Sequence, residues 1–116
     1  MSKVLDSAKA HFKEILAGGL KGPIKVPEWE TEIYYKPATT FLQESKIVEL
    51  TQAGKTVEAL VESLIMRSLD ADGNALFNKA EKPELMRFVD PSVIMRVMAE
   101  MNDPDTQRTT ETGLGN

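Results

Sequence analysis

Four oxygen-bearing side chains in the stretch Leu69 to Glu81, LDADGNALFNKAE, fall at the spacing of a calcium loop. Asp70, Asp72 and Asn74 take loop positions 1, 3 and 5, and Glu81 takes position 12. Such loops hold a hard cation with carboxylate and amide oxygens, close with a bidentate glutamate, and turn sharply at a glycine in position 6. Here position 6 is Ala75, and the glycine is Gly73, two residues early. Asp72-Gly73 is a turn dipeptide, with glycine taking positive φ. The stretch is therefore read as a helix end, an Asp-Gly turn, and a return anchored by Leu76 and Phe77. A calcium-binding helix-loop-helix module built on Asp70, Asp72, Asn74 and Glu81 is the alternative, and no metal or other cofactor is assigned otherwise.

Other reactive residue types lack company. His11 is the sole histidine and lies at the edge of an apolar helical stripe, with no acid–base partner implied by spacing. No G-x-S-x-G frames any serine, and neither a P-loop nor G-x-G-x-x-G occurs. With no cysteine, disulfides, thiolate zinc sites and cysteine nucleophiles are excluded. The expectation is a protein that is not an enzyme and works by binding.

The totals narrow the kind of partner. The 116 residues suit one domain, and 41% hydrophobic with 28% charged content is ordinary for a globular chain. Net charge is −4, and no basic run exceeds two residues, which argues against nucleic acid, whose phosphates need a basic face. No apolar run approaches the ~18 residues of a membrane span. Lys3, Asp6, Lys9, Lys13 and Glu14 interrupt the N-terminal apolar positions, unlike a signal peptide. A cytoplasmic protein without membrane partners is expected.

The elements that must carry any surface follow from periodicity. Over residues 2–17, Val4, Leu5, Ala8, Phe12, Ile15 and Leu16 share one helical face, with Ser2 as N-cap and Gly18-Gly19 as the stop. Ile24 and Val26, then Trp29, Thr31, Ile33 and Tyr35, alternate with polar neighbours, the pattern of two strands turning at Pro27-Glu28. Thr40 and Gln43 form a capping box before a helix whose apolar contacts are Phe41, Ile47, Val48 and Leu50. Thr56 caps the next, Val57 to Leu69, in which Val57, Leu60, Val61, Leu64 and Ile65 recur at helical spacing. Pro83 opens a helix, and Asp90-Pro91 opens the last, with a stripe of Val93, Ile94, Val97, Met98 and Met101. The fold class is α+β: an N-terminal helix, a β-hairpin or small antiparallel sheet, then four or so packed helices. One globular domain spans residues 1–102. Residues 103–116 hold one large apolar side chain, Leu114, and are expected to form a flexible tail.

Five of six methionines fall in the C-terminal half, and Met95, Met98 and Met101 step by three along the last helix. A flexible methionine surface adapts to apolar partners, while buried methionine fills gaps in a small core. On the first reading Met86, Val89, Met95, Met98 and Met101 are the partner-binding residues.

These segments resemble a family, the tail assembly chaperones of long-tailed bacteriophages and prophages. The resemblance runs from about Ser7 to Asn102. It is carried by AKAHFK, IKVPEWETEIYYKPAT, ESKIVELTQAGKTVEALVESLIMRSLDADGNALF and VDPSVIMRVMAEMN, none of them a catalytic motif. It implies a chaperone that binds the tape-measure protein, keeps it soluble and helps recruit tail-tube protein in the host cytoplasm, and that is absent from the mature virion. The partners implied are thus the tape-measure and tail-tube proteins. A generic interaction protein is the remaining alternative.

Overall fold

The computed structural model describes residues 2–103. Helix α1 (Lys3–Ala17) is followed by strands β1 (Lys21–Val26) and β2 (Thr31–Tyr35), then helices α2 (Phe41–Gln52), α3 (Thr56–Arg67), α4 (Lys82–Phe88) and α5 (Pro91–Met101). The architecture is α+β, as the periodicities predict.

The local start signals operate as expected. The Ser2 hydroxyl accepts from the Leu5 N–H, and Thr40 and Gln43 satisfy one another's backbone in a complete capping box. Asp90 caps Ser92 ahead of Pro91. Two ends shift. Thr56 is the first helical residue and Lys55 the cap, and α3 stops at Arg67, two residues before Leu69.

β1 and β2 pair antiparallel, with Ile24 opposite Ile33 and Val26 opposite Thr31. A short 3₁₀ turn, Pro27–Trp29, joins them, and Glu30 completes it in the left-handed region with φ 54°. Trp29 therefore belongs to the turn and not to the second strand. Alternation sends Ile24, Val26, Ile33 and Tyr35 inward, where they meet Val61, Leu64 and Ile65 of α3 and Val93, Ile94, Val97, Met98 and Met101 of α5. Leu69 extends this layer. Its N–H and C=O bond both ways with Tyr34, each at 2.8 Å, and it bridges Ala75.

Two apolar stripes are left only partly covered. α2 buries Leu50, while Phe41, expected inside, is 91% exposed and Leu42 and Val48 stand outward with it. α1, all of it within the described residues, buries none of its side chains. Of the tail expected at 103–116, Asp103 is described and its N–H donates to the Glu100 carbonyl at 3.4 Å, while 104–116 lie outside the described residues.

Candidate functional site

The acidic stretch is organised by its own backbone. Asp70 Oδ1 accepts the N–H groups of Asp72 at 2.8 Å and Asn74 at 2.9 Å, and these bonds, the one from Asn74 foremost, hold its carboxyl below the usual range. Gly73 sits at φ 88°, the conformation the Asp-Gly turn requires. Glu81 is engaged locally. Its Oε1 accepts the Asn78 N–H at 2.9 Å, capping the 3₁₀ turn Lys79–Glu81 that leads into α4. Two of the four candidate ligands thus serve as local caps. Among the described residues no group of three or more His, Asp or Glu side chains is placed to share a metal ion.

The predicted methionine row divides. Met95 is 57% exposed, but Met98 and Met101 are buried, which corrects their assignment to a partner-binding face. The reason is rotation. At about 3.6 residues per turn, each step of three falls some 60° short of a full turn, so the row winds from the outer flank at Met95 into the core at Met101. Met86 remains 40% exposed on α4, and Val89 is partly buried at its end. Met66 is likewise half-buried.

Val89 helps line an apolar cavity of about 280 Å³ with Trp29, Thr31, Leu76, Phe77 and Leu85. Trp29 meets Phe77 edge-on, with ring centroids 6.1 Å apart. The return segment after the Asp-Gly turn therefore forms one wall, which is what Leu76 and Phe77 were expected to anchor. The cavity offers one hydroxyl, from Thr31, and no ionisable group, so it suits an apolar side chain. Beside it in sequence, Phe88 is 80% exposed. Sequence reasoning passed over Phe88, although it is a phenylalanine in the last turn of a helix whose inward residue is Leu85.

Two charge pairs lie next in sequence to elements that line the cavity. Glu28, beside Trp29 in the hairpin turn, takes a two-pronged bond from Arg96 of α5, at 2.6 and 3.0 Å. The Arg96 bond holds the Glu28 carboxyl down at about 2, against an ordinary 4.5. Because the folded value is the lower one, the clamp is complete above pH 4.5 and lost as pH falls through about 2. The Glu28 side-chain carbon resonance should titrate with a midpoint near 2 and move toward 4.5 in Arg96→Met; a wild-type midpoint near 4.5 would show that the clamp does not form in solution. On the other side, Lys82 at the start of α4 bonds Glu62 at 2.8 Å and Glu58 at 3.3 Å of α3. The Glu62 bond leads in holding the lysine above its usual range.

A second, more polar hollow of about 710 Å³ lies between α2, α3 and the end of α5. Arg67 lines it, donates to Asn102 Oδ1 at 2.8 Å and stacks 5.5 Å from the Tyr35 ring centre. Burial lowers the arginine's pKa, and the nearby Glu44, which accepts from the Thr39 hydroxyl, supports its charge. Among the described residues the Arg67 Nε is buried without a hydrogen-bond partner.

Compared with known proteins, the chain matches no family model, no curated protein and no solved structure. Among the described residues no helix is long and apolar enough to cross a membrane.

Proposed function

We propose that this chain is a binding protein that acts as a phage tail assembly chaperone. It engages an apolar, helical stretch of the tape-measure protein in the bacterial cytoplasm, keeps that protein soluble and helps bring tail-tube subunits to it. No chemical step is involved. The observation that supports the reading is the set of large apolar side chains left exposed, Met86 and Phe88 on α4, Met95 on α5, and Phe41 and Leu42 at the start of α2, together with the apolar cavity that Leu85 and Val89 help line. Large exposed apolar surface on a small chain marks a place where another molecule sits. Methionine and phenylalanine suit a groove that takes the apolar face of a partner helix. The segments that resemble the chaperone family supply the identity of that partner.

Trp29 reports on the cavity directly. Titrating the purified chain with helical segments of the tape-measure protein from the same genome should shift Trp29 emission saturably. Phe88→Ser combined with Met95→Ser should weaken that binding by about tenfold or more, as loss of central apolar anchors does. Absence of saturable binding by every segment would overturn the proposal.

A further inference from the structure

We propose that α1 pairs two copies of this chain as an antiparallel, two-fold helix pair. This inference does not rest on the chaperone reading. The first observation is the spacing of the stripe. Val4, Leu5, Ala8, Phe12, Ile15 and Leu16 are symmetric about residue 10, so reversal of the helix sets Val4 opposite Leu16, Leu5 opposite Ile15 and Ala8 opposite Phe12. A two-fold contact requires this self-complementarity, because when residue i meets j, j must meet i. Antiparallel reversal also places the small Ala8 against the large Phe12, whereas a parallel pair would place Phe12 against Phe12. On one flank it brings Asp6 within one residue, about 1.5 Å along the axis, of the partner's Lys13, while the residue level with Asp6, the partner's Glu14, lies on the other flank.

The second observation is what the chain leaves open. Val4 is 78% and Leu5 50% exposed, while Phe12, Ile15 and Leu16 are partly covered by their own chain. The end of the helix that lacks a cover is therefore the end that the partner's half-covered residues would face. The interface is small. A 15-residue helix is about 22 Å long, and two such stripes bury on the order of 1,000 Å² in total, the lower limit for a specific interface. The pairing is accordingly a concentration-dependent equilibrium, with a dissociation constant on the order of 10–100 µM.

Sedimentation equilibrium on the full chain, from about 5 to about 500 µM, should show monomer passing to dimer. Leu5→Glu should weaken association by about tenfold or more without moving the melting curve, since no α1 side chain belongs to the core. Direction is tested by cross-linking, which the absence of native cysteine makes clean. A short bis-maleimide should join Val4→Cys chains to Leu16→Cys chains when the two are mixed, and should join neither variant to itself. Monomer at every concentration overturns the proposal, as does a dimer indifferent to Leu5→Glu. Self-joining of Val4→Cys chains overturns the antiparallel arrangement. A chain that stays monomeric but floats with vesicles of phosphatidylcholine and phosphatidylglycerol assigns the stripe to a lipid surface instead.

Discussion

Met98→Asp is expected to unfold the chain, while Met95→Asp, one step earlier in the same row, leaves its stability within about 0.5 kcal/mol of wild type. Met98 is 2% exposed among Val93, Ile94, Val97 and Met101 of α5 and the inward residues of the hairpin. Removing the methionine side chain costs about 2–5 kcal/mol, and burying a carboxylate without a partner adds several more. A small domain has only about 5–15 kcal/mol in total. Met95 has solvent on its side of the helix, so its replacement removes nothing from the core. Urea unfolding followed by circular dichroism separates the two. A folded Met98→Asp with a near wild-type midpoint would mean that α5 packs by a different face.

Gly22→Ala is expected to cost about 3 kcal/mol, combining backbone strain with overpacking. Gly22 lies at φ 109°, which L side chains rarely adopt, in the irregular stretch of β1 between Lys21 and Ile24. A methyl group there would meet the Ile33 carbonyl oxygen at 2.8 Å and the Tyr34 Cα at 3.3 Å. Both are backbone atoms of β2, and Ile33 is fully buried, so neither strand yields cheaply. Gly73→Ala is the control. It has a similar φ of 88° but nothing within 4 Å, and should cost only the left-handed penalty of about 1–2 kcal/mol. Equal urea midpoints for the two variants would show that β1 does not approach β2 this closely at Gly22.

The residues that open and close elements were legible because their work is local. Ser2, the Thr40–Gln43 box, Asp90-Pro91 and the Asp72-Gly73 turn each act on backbone groups a few positions away, and each does so in the structure. Whether a stripe is covered is a different matter. Periodicity identifies the apolar face of α1 as clearly as that of α3, yet α3 lies under the hairpin and α1 under nothing that buries it. Spacing along one helix carries no information about which neighbour arrives there.

The candidate site shows the same divide. Leu76 and Phe77 were identified as anchors, but the cavity they help form also needs Trp29 from the hairpin turn and Val89 from the far end of α4. Met95, Met98 and Met101 share a spacing, and only the placement of α5 separates the exposed one from the two in the core. Phe88 and Phe41 look like core residues by type, and only the three-dimensional arrangement places them outside.

The most direct measurement is co-expression. The tape-measure protein from the same genome should partition to the insoluble fraction when made alone, to the soluble fraction when made with this chain, and largely back to the insoluble fraction with the Phe88→Ser, Met95→Ser variant. A tape-measure protein equally soluble with and without this chain would contradict the account.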